Sequence, residues 1–241
     1  FCTNRASICI VYLFVNGGVQ PVGYLIKNKM TLYNNMYYII PLAVVLHFVT
    51  TRFVWTTGTT HYSDKGLLTQ ENNQGLIYDI VHNNTTDYSQ YNYTKNWFMM
   101  FFLLPIFINF DKVSSAFLIE LVIKFCLIVI IRSLTMASTI LPRQNGCEVK
   151  NLGLFNMTIG GTCYDKMFSG HFALGFLITL MLFKYNIVRP TTNNLIYFFV
   201  INAVHALILT ITRSHYSMDV VVAFFITFLV NDYANSFFKV F

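Results

Sequence analysis

Long apolar runs, spaced along the whole chain, are the feature that most constrains what these 241 residues can fold into. A helix of about 20 apolar residues crosses the hydrocarbon core of a bilayer. Charged residues make up only 11% of the chain, against about 25% in a typical soluble domain. The sequence therefore predicts an all-α, polytopic membrane protein with a six-helix transmembrane core, whose spans are 36–57, 97–110 with its flanks, 113–134, 168–188, 193–212 and 218–238.

The first part of the chain does not fit this pattern as well. Residues 1–26 are apolar and long enough to span, but polar and helix-breaking residues interrupt them at 16–21. We divide the chain into an N-terminal hydrophobic segment with a short cytosolic loop, 1–35, and a six-helix domain, 36–241. The sequence leaves open whether residues 1–26 form an extra span or an interfacial hairpin.

Two polar loops indicate the orientation of the helices. Residues 58–95 contain Asn-x-Thr glycosylation acceptors at Asn83, Asn84 and Asn92, and the loop 142–167 contains one at Asn156. The predicted helices place both loops on the same face of the membrane. We therefore expect that face to be lumenal or exoplasmic.

The second loop also carries a candidate disulfide. Cys147 and Cys163 bracket most of the loop 142–167, and a lumenal compartment favours oxidation of thiols. A bond between them would fix the loop just ahead of residue 171. Two free thiols are the alternative.

The net charge of +6 does not indicate a nucleic-acid partner. The Lys and Arg residues are scattered singly between apolar runs, without the basic stripe that tracks a phosphate backbone. They are typical of interfacial anchors in a membrane protein.

A histidine and a carboxylate at the start of the last apolar run form the first candidate site. His215 and Asp219 are four residues apart, so on a helix they share a face and the carboxylate can accept the imidazole N–H. This contact orients the base or nucleophile in catalytic triads. An ion pair that only anchors the helix end is the alternative.

A second histidine begins the run 168–188. Ser169 and Gly170 precede His171; Ser is a good N-cap, Gly allows close approach of a ligand, and a helix N-terminus attracts anions. The predicted topology brings both histidines to one face, together with residues that we expect to bind phosphate and substrate, namely Arg132, Ser169, Gly170, Arg213 and Tyr216.

Three stretches carrying these residues resemble a known family. "RSLTMASTILP" (132–142), "GGTCYDKMFSGHFALGFLITLMLFKY" (160–185) and "SHYSMDVVVAFFIT" (214–227) are similar to the three signature regions of sphingomyelin synthases. That family also includes ceramide phosphoethanolamine and inositol phosphorylceramide synthases, within the type 2 phosphatidic acid phosphatase superfamily. The three regions follow one another in the right order within residues 132–227.

The resemblance implies a ceramide phosphotransferase that moves a phospho-head-group from a glycerophospholipid to ceramide and releases diacylglycerol. By the matching positions, His215 is the nucleophile, Asp219 orients it, and His171 is general acid and then base. The family implies an exoplasmic or lumenal site in the Golgi, endoplasmic reticulum or plasma membrane, with membrane lipids as partners and no cofactor or metal. Homo-oligomerisation stays open.

The chain departs from the family pattern in three places. Phe172 replaces the usual Thr after "FSGH", "YSDKG" (62–66) stands where animal members have a proline-rich stretch, and "NDYANS" (231–236) replaces an aromatic-rich helix end. None of these changes touches the two histidines or Asp219. They leave the head group open between choline, ethanolamine and inositol.

Two other functions compete with this interpretation. The first is a lipid phosphate phosphatase of the same superfamily, in which water replaces ceramide, but its usual Lys-x6-Arg-Pro motif is absent and Phe168 replaces the Pro of Pro-Ser-Gly-His. The second is an inactive membrane scaffold or lipid-binding protein. Retention of His171, His215 and Asp219 favours an enzyme over a scaffold.

Overall fold

The computed structural model of the chain describes residues 22–64, 79–141, 164 and 167–237, with side chains over 36–62, 79–141, 164 and 167–233. These residues form helices and connecting turns and contain no strand. The all-α prediction is confirmed for this part of the chain. In chain order the helices are α1 Val22–Asp64, α2 Ile80–Asn84, α3 Thr94–Phe98, α4 Met100–Ile108, α5 Ser115–Ser138, α6 Gly170–Lys184, α7 Thr192–Ile211 and α8 Ser217–Phe237.

The first helix is longer than the sequence predicts. We expected a span at 36–57 preceded by a loop, whereas α1 runs without a break from Val22 to Asp64 and contains Pro41. Residues 22–35 therefore extend this helix instead of forming a separate cytosolic loop. Residues 1–21 lie outside the described residues, so the choice between an extra span and an interfacial hairpin stays a prediction.

Side-chain caps fix where several helices begin. The hydroxyl of Ser114 accepts a hydrogen bond from the backbone N–H of Phe117 at the start of α5, and that of Ser169 accepts one from Phe172 at the start of α6. Both residues have extended backbone angles, as N-cap residues do. The predicted capping role of Ser169 is confirmed.

Helix α6 lies at the centre of the molecule. It is apolar around most of its circumference and contacts α4, α5, α7 and α8, as expected of a helix that is buried on all sides. Gly175 lets the Phe102 ring of α4 approach closely, because a Cβ at this position would lie only 2.9 Å from a ring carbon. Helix α1 packs mainly along α5.

A charged cluster ties α5, α6 and α8 together at the end where α6 terminates. The Glu120 carboxylate lies 2.5 Å from the Nζ atoms of both Lys124 and Lys184, and the Tyr185 hydroxyl donates to it at 2.6 Å. Lys124 also donates to the side chain of Asn231 at 2.9 Å. The Glu120 carboxylate thus has two ammonium partners, Lys124 from its own helix and Lys184 from the end of α6.

Two helices of the described chain are long and apolar enough to cross a membrane, over Met36–Tyr62 and Thr192–Ile211. The segments Thr94–Ile108 and Gly170–Lys184 are apolar but shorter. At about 1.5 Å per residue, a helix of 15 residues is shorter than a hydrocarbon core of about 30 Å.

Candidate active site

The predicted pair of His215 and Asp219 forms at the start of α8. The Nδ1–H of His215 donates to Oδ2 of Asp219 at 3.0 Å, and the backbone N–H of Tyr216 donates to the same oxygen at 2.9 Å. Both side chains are buried. Because Nδ1 carries the proton, the lone pair of the neutral ring lies on Nε2, which is the tautomer that a nucleophilic imidazole requires.

The start of α6 lies directly beside this pair. The backbone N–H of Ser169 donates to the backbone carbonyl of Asp219 at 3.3 Å. Nε of Arg132, on α5, lies 3.6 Å from the position that a Cβ on Gly170 would occupy. The structure thus brings the beginnings of α6 and α8 and the buried Arg132 together, as the sequence predicts.

His171 follows Gly170 and contacts helix α3, which the sequence analysis did not connect to the site. Its Nε2 lies 3.0 Å from Oδ1 of Asn96, on α3, and the amide oxygen accepts the ring N–H. His171 remains partly exposed. The ring is therefore oriented from α3 and keeps part of its surface accessible.

Arg213 makes contacts other than those expected of a phosphate-binding residue. Its Nη2 donates to the backbone carbonyl of Thr85 at 2.8 Å, and its Nε lies 3.9 Å from a carboxylate oxygen of Asp87. The backbone of Arg213 has φ of 56°, in the left-handed region. These contacts hold the turn between α7 and α8 against residues 79–96, which we call the capping segment.

The capping segment brings a further cation to the site. Nζ of Lys95 donates to the hydroxyl of Ser214 at 3.4 Å, and that hydroxyl also donates to Oδ1 of Asn92. Ser214 immediately precedes His215. The fold therefore brings Lys95 close to His215, although the two residues are far apart in the sequence.

Tyr216, which the sequence assigns to substrate binding, is buried under the capping segment. Its ring centroid lies 5.1 Å from that of His82, and its side chain is 3% exposed. Tyr216 therefore contributes packing through its ring and a hydrogen bond to Asp219 through its backbone N–H.

The capping segment also supplies two titratable groups whose pKa values are shifted. Burial lowers the pKa of His82, and the nearby Arg213 adds to this effect against the opposing charge of Asp79. Burial works to raise the pKa of Asp79, but hydrogen bonds from the backbone N–H groups of His82 and Ser217 outweigh it and hold the pKa below its ordinary value. At neutral pH, Asp79 is ionised and His82 is neutral.

A buried histidine, His205, packs close to the start of α6. His205, on α7, is fully buried, and its ring packs against Phe98, Phe102 and Phe172 with centroid distances of 5.5, 5.2 and 6.1 Å. Phe172, the departure from the family pattern, is thus part of this aromatic cluster.

Several functional residues were missed because they lie in a polar loop and contact residues far away in the sequence. Asn96 and Lys95 gave no spacing signal, and His82 had no partner within reach along the chain. Their closeness to the histidines depends on the fold. The candidate disulfide of Cys147 and Cys163 lies outside the described residues, which contain no group of three His, Cys, Asp or Glu side chains able to hold a metal ion.

Comparison with known proteins supports the superfamily that the motifs suggest. Residues 162–236 match the family model described as PAP2 superfamily C-terminal, which here contains α6, α7 and α8 with both histidines. No curated protein and no solved structure gives a significant match. The matched region supports a membrane-associated lipid enzyme of the phosphatase or phosphotransferase kind, without separating sphingolipid synthases from the other members.

Proposed function

We propose that the chain is a sphingolipid synthase that transfers a phospho-head-group, phosphocholine or phosphoethanolamine, from a glycerophospholipid to ceramide. The observation that carries this proposal is the buried hydrogen bond from Nδ1 of His215 to Asp219. It leaves the Nε2 lone pair for attack on a phosphodiester and stabilises the ring when it becomes cationic.

In the first half-reaction, Nε2 of His215 attacks the donor phosphorus and the bond from phosphorus to the diacylglycerol oxygen breaks. The leaving alkoxide is strongly basic, and His171 supplies its proton. General acid catalysis of this kind contributes about 10²–10⁴-fold. The head group is then held as a phospho-histidine, and diacylglycerol leaves.

In the second half-reaction, the primary hydroxyl of ceramide attacks the phospho-histidine. His171, now neutral, accepts the hydroxyl proton, and the bond from Nε2 of His215 to phosphorus breaks. One phosphodiester replaces another, so the exchange needs no nucleotide, and we predict no metal requirement. The buried guanidinium of Arg132 and the Lys95 ammonium are placed to stabilise charge on the phosphoryl oxygens.

We further propose that six helical segments cross the membrane, with the site at the exoplasmic or lumenal face of the Golgi, endoplasmic reticulum or plasma membrane. The directions in which the helices run support this arrangement. The end of the molecule that carries the site contains the carboxyl ends of α1, α5 and α7 and the amino ends of α3, α6 and α8. Successive long segments therefore run in opposite directions.

The test is to reconstitute the purified chain with labelled ceramide and separate glycerophospholipids that carry choline, ethanolamine or inositol. We expect labelled ceramide phospho-head-group and an equal amount of diacylglycerol, and none from a chain with His215→Ala. The head group that gives product identifies the donor, and product from the inositol lipid alone would assign the chain to inositol phosphorylceramide synthesis.

Two other outcomes would reject the proposal. Release of phosphate from phosphatidic acid, without a ceramide product from any donor, would identify a lipid phosphate phosphatase. Absence of both reactions, with retained lipid binding, would identify an inactive lipid-binding protein.

A further inference from the structure

The capping segment contacts the main chain at the proposed nucleophile and two residues after it. His82 contacts the backbone carbonyl of His215, and Asp79 contacts the backbone N–H and the hydroxyl of Ser217. Residues 215 and 217 are more than 130 positions away from these partners in the sequence. The contacts therefore fix the turn that presents His215 from outside its own helix.

Asp79 uses its carboxylate as a cap for two helices. Oδ1 accepts from the backbone N–H groups of Val81 and His82 at 3.0 Å and from the Ser217 hydroxyl at 3.1 Å, and Oδ2 accepts from the Ser217 N–H at 2.6 Å. A carboxylate offers about four lone-pair sites. Four donors contact it, three at Oδ1 and one at Oδ2, and the negative charge lies at the amino ends of both α2 and α8, where helix dipoles favour it.

His82 completes the arrangement at the nucleophile itself. Its Nε2 lies 3.0 Å from the carbonyl oxygen of His215. A carbonyl oxygen only accepts, so Nε2 of His82 carries the hydrogen and donates it. The ring also packs against Tyr216, which restricts movement of the chain between the nucleophile and Asp219.

We propose that Asp79 and His82 are positioning residues that hold the main chain at 215–217 so that His215 keeps its hydrogen bond to Asp219. The proposal rests on the proposed function for the role of His215. It assigns this task to a pair in the polar loop, outside the three signature regions.

Activity should be more sensitive than stability to the loss of these contacts. Losing the one hydrogen bond from His82 removes a small part of the contacts that hold the fold, whereas a shift of about 1 Å at a reacting group lowers a rate by roughly 10²-fold. Variants of His82 should therefore fold and still lose rate.

The experiment compares His82→Leu, His82→Gln and Asn84→Ala. Leu removes the donor, and the amide nitrogen of Gln takes the place of Nε2. Asn84 is a matched control on α2, because its side chain is exposed and, within the described part of the chain, donates to its own helix, to the carbonyl of Ile80 at 2.7 Å. We would measure the rate of phospho-histidine formation from a labelled glycerophospholipid, the KM for that donor, and the rate at which diethyl pyrocarbonate modifies His215.

We expect His82→Leu to slow phospho-histidine formation by roughly 10–100-fold with KM changed less than about twofold, and to speed modification of His215. His82→Gln should recover most of the rate, and Asn84→Ala should match the wild type. Equal rates in the Leu variant and the wild type, or equal losses in the Leu and Gln variants, would overturn the proposal.

The rate at which diethyl pyrocarbonate modifies His215 tests the positioning role separately from the proposed function. A wild-type chain that forms phospho-histidine but no ceramide product would reject the transferase, and the phospho-histidine rates would still decide the positioning role. A chain that forms no phospho-histidine leaves the modification rate as the deciding measurement, and unchanged reactivity of His215 in His82→Leu would overturn the positioning role.

Discussion

The buried carboxylate beside His215 sets which ring nitrogen holds the proton. Asp219→Asn keeps the size of the side chain but presents an amide N–H, which favours the wrong tautomer of His215 and removes the charge that stabilises the cationic ring. We expect head-group transfer to fall by about 10²–10⁴-fold, measured as initial rates in reconstituted vesicles.

The matched control for this change is Asp87→Asn, which alters an exposed carboxylate 3.9 Å from Arg213. It should retain near wild-type transfer. A chain with Asp219→Asn that is as active as this control would remove Asp219 from the mechanism.

A second prediction at the residue scale concerns acid sensitivity. Burial lowers the pKa of His82 below its ordinary value of 6.5, so the unfolded chain binds this proton more readily than the folded chain. The contribution of His82 to stability is therefore complete above pH 6.5 and is lost as the pH falls from there through the folded pKa. The ionised form of Asp79 stabilises the fold above its ordinary pKa of 3.8 and does not change over this range.

Thermal unfolding in detergent tests this prediction. Between pH 7.5 and pH 5, the Tm of the wild type should fall further than that of His82→Gln, which does not titrate. An equal fall in the two proteins would show that His82 is not the group responsible.

The residues that sequence reasoning found are those whose partners are close along the chain. His215 and Asp219 are four apart, and Ser169 caps the helix that carries His171. His82 was missed because its partner, the backbone carbonyl of His215, is 133 positions away in the sequence. Spacing rules carry no information on such a contact.

At the scale of elements, the cluster around Glu120 should hold the helices together without taking part in catalysis. Glu120→Gln leaves the buried Lys124 ammonium close to the more exposed Lys184 ammonium without their shared carboxylate. Removing one partner of a buried ion pair costs about 3–5 kcal/mol. We therefore expect a clearly lower Tm, with kcat/KM of the folded fraction unchanged, because the cluster lies at the opposite end of α6 from the site.

Asp111→Asn is the control for this change, since it removes an exposed carboxylate in the turn before α5. Its Tm should stay within about 1 °C of the wild type, as is usual for surface substitutions of less than about 0.5 kcal/mol. A Glu120→Gln chain as stable as this control would show that the cluster contributes little.

The apolar runs predicted the helices well because burial and lipid both require continuous apolar sequence. The run 113–134 became Ser115–Ser138, and 193–212 became Thr192–Ile211. The run 97–110 became α3 and α4, which begin at Thr94 and end at Ile108. Helix α1 was underestimated at both ends, because polar residues flank its apolar part and hydrophobicity alone does not mark where such a helix ends.

At the scale of the whole molecule, the orientation of the capping segment can be read by glycosylation. Asn83 is an exposed acceptor on α2, whereas Asn92 is partly buried and its side chain contacts Ser214. We expect a glycan at Asn83 in cells, removed by Asn83→Gln, and none at acceptors introduced in the turn 186–192. Modification at 186–192 with none at 83–92 would reverse the proposed topology.

The measurement that tests the account most directly is trapping of the covalent intermediate. The purified chain is mixed with a glycerophospholipid labelled in its head group and quenched under alkaline conditions that preserve phospho-histidine. The labelled residue is then identified by mass spectrometry, with and without a chase of ceramide. We predict label on His215, transfer of that label to ceramide during the chase, and no label on a chain with His215→Ala. Head-group transfer at a near wild-type rate by the His215→Ala chain would contradict the account.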